Sequence, residues 1–249
     1  MSRKIDTAAD LLLSARRSGQ ALQSLPLELM PDTPDEAYAI QDLVTAASGA
    51  IGGWKTAPSK DGVKFNWAPI PAGGVFMNNA NVPLAAFPRC ELELEVCFLV
   101  AESLPPRDRP YGRDDVIAAL GELRVCLELF SSRYADRRAR APLEVLADGQ
   151  NAAGVVVGTG LADWAGFDLG TTSLTLDYLG ETHRQAGGRL LDDLLDACTD
   201  LANGSARLGG LEAGQVIITG ARIGPIAASA AGQVQGKIEP IGTVSASLI

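Results

Sequence analysis

The sequence is poor in the residues that most often build catalytic and metal sites. It has one histidine, His183, and four cysteines among 249 residues. The histidine lies in a polar, turn-like stretch, which disfavours a serine–histidine triad. The cysteines include no close pair of the zinc-binding kind. They lie in apolar surroundings, which indicates reduced thiols in the core and a cytoplasmic protein.

Other signatures are also missing. No phosphate-binding or dinucleotide glycine fingerprint occurs, and no apolar run approaches the roughly 18 residues that a membrane-spanning helix needs. Basic residues number 21 against 30 acidic ones, and the formal net charge is −9. An acidic chain repels phosphate backbones and anionic membranes, so we expect neither nucleic acid nor membrane as a partner.

The one dense basic cluster covers residues 133–140 and begins with Arg133. Such a cluster is either a solvated loop or helix face, or a contact to an anionic substrate or a neighbouring subunit. Both interpretations stay open at this stage.

The first part of the chain has the pattern of two helices. Apolar residues recur at helical spacing between Ala8 and Leu22. A second helix is predicted to begin at Thr33, a good N-cap, because Pro34 fits the first helical position and Glu36 stands three residues after the cap.

From Ile51 onwards, short apolar runs between glycines and prolines indicate strands and loops. The predicted strands are residues 91–101, 123–130, 153–158, 173–178, 215–219, 233–238 and 243–248. Further helices are predicted at residues 113–120 and 189–203. We therefore predict an α+β fold, with an N-terminal helical segment at 1–50 and a β-rich catalytic domain at 51–249.

Acidic residues supply the strongest candidate site. Glu91, Glu93 and Glu95 alternate with apolar residues, so a strand would place three carboxylates on one face. That face is either exposed to solvent or gathered by a cation. Glu128 favours a cation, because it lies in a run too apolar for a solvated edge. A buried lone carboxylate costs several kcal/mol unless it is paired, for example with an arginine, or ligated.

The chemistry of these groups restricts the metal. Carboxylate oxygens with almost no histidine in the chain favour Mg²⁺, Mn²⁺ or Ca²⁺ over zinc.

Several short motifs occur in order over nearly the whole chain. They include Gly-Trp-Lys at 53–55, Glu-Leu-Glu at 93–95, Leu-Glu-Leu at 127–129 and Ile-Ile-Thr-Gly at 217–220. Further matching segments are residues 37–41, 59–60, 132–133, 147–148, 151–152, 211–216 and 238–242. Together these segments resemble the fumarylacetoacetate hydrolase superfamily, in particular its 2-oxopent-4-enoate hydratase and 4-oxalocrotonate decarboxylase branch.

The resemblance implies a fold and a metal site. The fold is a mixed β-roll with an N-terminal helical segment. The metal ligands are Glu93, Glu95 and Glu128, the ion is Mg²⁺ or Mn²⁺, and Glu91 is an additional acid. Chelation of the carboxylate and 2-oxo oxygens of a substrate would polarise the carbonyl and favour an enolate.

The resemblance also implies roles for other residues. Lys55 would lie near the oxygens on which negative charge develops. Asp148 and Lys60 are candidates for acid–base catalysis, and the substrate-binding candidates are Thr219, Gly220 and Arg133.

Two departures from the family pattern leave the reaction open. Residues 67–74 contain no acid where the branch often carries an aspartate, and residues 185–189 replace its Gly-His-Pro element. The leading expectation is a hydratase of a short unsaturated 2-oxo acid, such as 2-hydroxypenta-2,4-dienoate, in aromatic catabolism. The alternatives are a 2-oxo diacid decarboxylase, a C–C hydrolase and a non-catalytic partner subunit. We expect a homo-oligomer, or a complex with a related pathway enzyme.

Overall fold

A computed structural model describes residues 3–57 and 67–249. The helices are α1 (Arg3–Ser18), α2 (Pro34–Ala46), α3 (Arg113–Ala119), α4 (Pro142–Ala147) and α5 (Leu191–Gly204). The first seven strands are β1 (Ile51–Thr56), β2 (Trp67–Pro71), β3 (Val75–Met77), β4 (Ala80–Val82), β5 (Glu91–Val100), β6 (Leu120–Phe130) and β7 (Ala152–Leu161). The others are β8 (Ser173–Tyr178), β9 (Glu181–Ala186), β10 (Val216–Ile218), β11 (Ile223–Ala227), β12 (Gly232–Glu239) and β13 (Gly242–Leu248). None of the helices in the described ranges is long and apolar enough to cross a membrane.

The N-terminal helices form as their capping residues predict. The Thr33 hydroxyl accepts a hydrogen bond from the Glu36 amide at 3.2 Å, which satisfies one of the free donors at the start of α2. The buried Gln41 of α2 donates to the Leu146 carbonyl at 2.8 Å and so attaches this helix to α4. The helical segment therefore packs on the β-rich part, and a domain boundary at residue 50 stays a prediction.

The larger of the two sheets has eight strands. Its order is β2-β1-β10-β5-β6-β7-β3, with β11 also paired to β5. Two strands share one edge of β5: β10 pairs with residues 97–99 and β11 with residues 91–94. The chain between them, residues 219–222, therefore leaves the sheet opposite Glu95.

A smaller sheet covers one face of this curled sheet, in the order β4-β13-β12-β8-β9. Leu92, Leu94 and Val96 of β5 are fully buried in the main core, which includes Val234 and Val244 of the smaller sheet. Because side chains alternate along a strand, Glu91, Glu93 and Glu95 point to the opposite face. That face carries a second, smaller apolar cluster that includes Cys97 and Cys126.

The predicted elements agree with the structure, except for β9 and some strand ends. The polar stretch around His183 was expected to be a turn, but it forms β9, which pairs with β8 along its length. β9 is an edge strand whose side chains are mostly exposed on both faces, so no apolar alternation marks it. β2 also escaped prediction. It carries Pro69 and Pro71 and lies at the edge of the larger sheet, where proline is tolerated.

Candidate metal and substrate site

The three predicted ligands lie together at the centre of the larger sheet. Glu93 of β5 and Glu128 of β6 are direct cross-strand partners, and Glu95 follows two residues along β5. One carboxylate oxygen from each lies within 4.8 Å of the others, which is the spacing that a single ion could bridge. All three side chains are buried, and Glu95 and Glu128 are fully so.

Lys55 supplies positive charge to this cluster. It lies near the end of β1, and its Nζ donates to both carboxylate oxygens of Glu128 at 2.8 Å. The same ammonium lies 4.6 Å from the centre of the Phe130 ring, a cation–π distance. Burial acts to lower the pKa of Lys55, but the charges of Glu128, Glu93 and Glu95 outweigh it and raise this pKa above its usual value. The ion pair to Glu128 that the sequence left open is therefore made with a lysine and not with an arginine.

The electrostatics of the three carboxylates are those of a site prepared for a cation. Burial raises the pKa of Glu93, Glu95 and Glu128 to about 7 each; the charge of Lys55 opposes this rise and repulsion between the carboxylates adds to it. The Oε1 atom of Glu95 is buried and has no hydrogen-bond partner among the described residues. A buried acceptor of this kind is costly unless an ion or proton satisfies it.

Thr219 and Gly220 lie beside Glu95, where the chain leaves the sheet. The Gly220 amide donates to Glu95 Oε2 at 2.6 Å. The Thr219 hydroxyl donates to the Val96 carbonyl at 2.8 Å and so anchors this segment to β5. Gly220 has φ +99°, a left-handed conformation that favours glycine. The structure therefore brings two of the three predicted substrate-binding residues, Thr219 and Gly220, next to the carboxylate cluster.

Arg133 and Asp148 form a separate buried group. The Arg133 guanidinium contacts the Asp148 carboxylate and carbonyl, and its remaining hydrogen bond goes to the Ser131 carbonyl at 2.7 Å. Asp148 also accepts from the Arg133 amide at 3.1 Å and from the Ser132 hydroxyl at 3.3 Å. None of these bonds reaches the three glutamates, so the substrate-binding role of Arg133 and the catalytic role of Asp148 stay predictions. The third catalytic candidate, Lys60, lies outside the described residues.

The additional acid, Glu91, borders a cavity of about 700 Å³ whose lining does not include the three glutamates or Lys55. Its carboxylate pairs with Arg137 at 2.6 Å and with Arg138 at 3.7 Å. The Arg137 guanidinium also lies 4.4 Å from the centre of the Phe130 ring, which Lys55 contacts too. Sequence reasoning did not single out Phe130 or Arg137, although Arg137 belongs to the conspicuous basic cluster at 133–140.

No family model matches the chain, but relatives of similar length do. It is 28% identical to a 2-keto-4-pentenoate hydratase of Paraburkholderia phymatum, over 98% of this chain and 97% of that protein. It is 31% identical to a 2-keto-4-pentenoate hydratase of Burkholderia vietnamiensis, over 67% of this chain and 63% of that protein.

Solved structures resemble the fold. The 4-oxalocrotonate decarboxylase of Pseudomonas putida G7, complexed with magnesium and adipate, matches with a TM-score of 0.83 at 22% identity, over 100% of this chain and 99% of that one. A fumarylacetoacetate hydrolase of Exiguobacterium antarcticum matches with a TM-score of 0.56 at 14% identity, over 80% and 75% of the two chains.

The curled mixed sheet is thus the fold of the fumarylacetoacetate hydrolase class of enzymes. The chain resembles the 2-keto-4-pentenoate hydratases and 4-oxalocrotonate decarboxylases over most or nearly all of its length, and it is an enzyme of that kind. The resemblance drawn from the sequence motifs is confirmed.

Proposed function

We propose that the protein is a divalent-metal-dependent hydratase of a short unsaturated 2-oxo acid, such as 2-hydroxypenta-2,4-dienoate, in aromatic catabolism. The observation that carries this proposal is the buried carboxylate triad with Lys55 on its border. Relatives named 2-keto-4-pentenoate hydratase support the choice of substrate class. Their similarity extends over nearly the whole chain for two distinct organisms, so it includes every element that forms the site.

Glu93, Glu95 and Glu128 would hold the ion. They fit a hard divalent cation, because they offer buried carboxylate oxygens within 4.8 Å of one another and one of these, Glu95 Oε1, has no other partner among the described residues. We propose Mg²⁺ or Mn²⁺; structural neighbours are complexed with magnesium, calcium or manganese. When bound, the ion would act as a Lewis acid on the 2-oxo group.

Lys55 would stabilise the negative charge that develops on the substrate. The three carboxylates raise its pKa against the effect of burial, so in the metal-free protein the side chain is an ammonium and a hydrogen-bond donor. Its contacts with Glu128 and Phe130 hold Nζ at the border of the cluster before the substrate binds, and such preorganised donors contribute most to catalysis where water is excluded.

Thr219 and Gly220 would shape the place for the substrate carboxylate. The Thr219 side chain is used in anchoring the segment, and the Gly220 amide in holding Glu95. Their contribution is therefore to fix Glu95, and the absence of a side chain on Gly220 leaves room for the Arg189 guanidinium beside it.

A 2-oxo diacid decarboxylase is the second candidate. The fold matches the 4-oxalocrotonate decarboxylase over its full length, and the cavity beside Glu91 contains Arg137 and Arg138. Glu91 neutralises only one of these two arginines. The remaining positive charge suits the second carboxylate of a 2-oxo diacid.

The two candidates are separated by one assay. The protein is supplied with Mg²⁺ and with 2-hydroxypenta-2,4-dienoate or 4-oxalocrotonate in parallel. We expect loss of the dienoate without release of CO₂; CO₂ from the diacid would establish the decarboxylase instead. Mg²⁺ affinity tests the site itself. Compared with the wild-type protein, Glu128→Gln should bind Mg²⁺ at least about 100-fold more weakly, since it removes one charged ligand. The exposed acid Glu102 provides the matched control, Glu102→Gln. Unchanged Mg²⁺ affinity in Glu128→Gln would refute the site.

We also propose that the protein acts in the cytoplasm as a homo-oligomer, alone or with a related pathway enzyme. Exposed large apolar side chains support an interface, namely Leu27, Met77, Leu179, Leu190 and Ile249. Light scattering of the purified protein measures the state, and a monomer at micromolar concentration would refute this part of the proposal.

A further inference from the structure

Two arginines lie near Glu95, and one of them belongs to a segment that departs from the family pattern. Arg189 precedes α5, within the segment that replaces the Gly-His-Pro element, and Arg222 precedes β11. The Arg189 Nη1 donates to the Thr219 carbonyl at 3.2 Å, and the Arg222 Nη2 donates to the Arg189 carbonyl at 3.0 Å. The two arginines are therefore neighbours in one local structure, although 33 residues separate them in the chain.

The backbone around them is built to admit guanidinium groups. A Cβ on Gly188 would overlap Nη1 of Arg222, and a Cβ on Gly220 would overlap Nη1 of Arg189. Gly188 has φ +140° and Gly220 φ +99°, conformations in which other residues are strained. Gly220 is the residue whose amide binds Glu95, so the Arg189 guanidinium lies one residue from a carboxylate of the cluster.

Neither guanidinium is held in an ion pair with a described carboxylate. Arg222 is buried, yet no ion pair with a described carboxylate involves Arg222 or Arg189, and their hydrogen bonds go to backbone carbonyls only. Burial lowers the pKa of Arg222 to about 10; the charge of Glu95 opposes this and that of Arg189 adds to it. A buried guanidinium such as that of Arg222, with a second one beside it, is costly unless an anion joins them.

The charges of the whole site indicate where that anion belongs. Three ionised glutamates are balanced by Lys55 and one divalent ion, so the two arginines remain as positive charge when the site is loaded. A 2-oxo acid brings one negative charge, and a second appears when its enolate forms. The arginines lie on the Gly220 side of Glu95, where the proposed function places the substrate carboxylate.

We propose that Arg189 and Arg222 bind the carboxylate of the 2-oxo acid substrate. This inference rests on the proposed function and adds two binding residues to it. The two guanidinium groups would neutralise the negative charge of this carboxylate. Arginine suits this role because its guanidinium matches the planar geometry of a carboxylate.

The test compares a charged and an uncharged probe on Mg²⁺-loaded protein by calorimetry. Pyruvate is the smallest 2-oxo acid, and pyruvamide offers the same two oxygens without charge. In Arg222→Met and in Arg189→Met, pyruvate affinity should fall about 10- to 100-fold, the loss expected for a charged hydrogen bond. Pyruvamide affinity should change little. Mg²⁺ affinity should not weaken, since removal of a positive charge near Glu95 favours a cation.

Controls separate this inference from a structural role. Arg184→Met removes an exposed arginine from β9 and should leave both probes unchanged. Arg222→Lys should recover part of the pyruvate affinity, because it restores the positive charge but not the paired hydrogen-bond donors of a guanidinium. If Arg222→Met does not fold, the test is made with Arg189→Met alone, because Arg189 is only half-buried.

Equal weakening of pyruvate and pyruvamide, or parallel loss of Mg²⁺ affinity, would show that the arginines only position Glu95 and would overturn the inference. Unchanged pyruvate affinity would overturn it too. If Mg²⁺ does not bind the wild-type protein, the proposed function fails, and the pyruvate titration without metal still tests the arginine pair.

Discussion

Metal binding to this protein should depend steeply on pH near neutrality. The three proposed ligands have pKa values of about 7, well above the usual carboxyl value of 4.5, because burial disfavours their charged forms. A divalent ion needs them ionised and must therefore displace protons below pH 7. Between pH 8 and pH 6, affinity should fall about tenfold for each carboxylate that titrates in this way, or about 10- to 1000-fold in all.

The same three carboxyl groups should also make the stability of the metal-free protein depend on pH. Stability should decrease as pH rises, whereas the affinity for Mg²⁺ should increase. Between about pH 4.5 and pH 7 the folded state holds more protons on these carboxyls than the unfolded state does. The free energy of unfolding should therefore decrease as pH rises through this window, by at most about 1.4 kcal/mol per pH unit for each group. Saturating Mg²⁺ should reverse the decrease, so its stabilising effect should be larger at pH 8 than at pH 5.5.

Calorimetric titration with Mg²⁺ at pH 6, 7 and 8 measures the affinities, and buffers with different heats of protonation count the protons released. Glu91→Gln is the matched control, because Glu91 is on the same strand face but pairs with Arg137 outside the cluster. Its pH profile should equal that of the wild type. An affinity that varies less than about threefold between pH 6 and pH 8, with no proton release, would refute the reasoning about burial.

Other residues lead to further predictions. Lys55→Met should lower kcat at least about 100-fold without weakening Mg²⁺ binding, because it removes a donor and a competing positive charge; the exposed Lys237→Met is the control, and retained kcat would contradict the role of Lys55. Asp148→Asn should destabilise the fold by about 3–5 kcal/mol in urea unfolding, since it leaves Arg133 buried without its partner. If the variant instead stays stable and only loses turnover, Asp148 is catalytic. Thr33→Ala should cost about 1 kcal/mol through the lost cap of α2, and no change in unfolding would show that the cap is not used.

Local chemistry was sufficient to predict much of the fold. The cap at Thr33, the helix 189–203 and the apolar runs of β5 and β6 carry their signals within a few neighbouring residues, and the structure has these elements with ends shifted by a few residues. The alternation of Glu91, Glu93 and Glu95 determined that they share one face of a strand. The edge strands β2 and β9 could not be found in this way, because pairing with a neighbour and not side-chain periodicity defines them.

The sequence by itself indicated the candidate ligands: the resemblance implied Glu93, Glu95 and Glu128, and a carboxylate in an apolar run such as that of Glu128 needs an ion pair or a cation in any fold. Only the tertiary structure decided which partners meet, because they come from distant strands. It placed Lys55 on Glu128, separated Arg133 and Asp148 from the cluster, and joined Arg189 to Arg222 beside Glu95. The physical reason is that burial and charge are properties of neighbours in space, and the sheet register that creates those neighbours is set by the whole core.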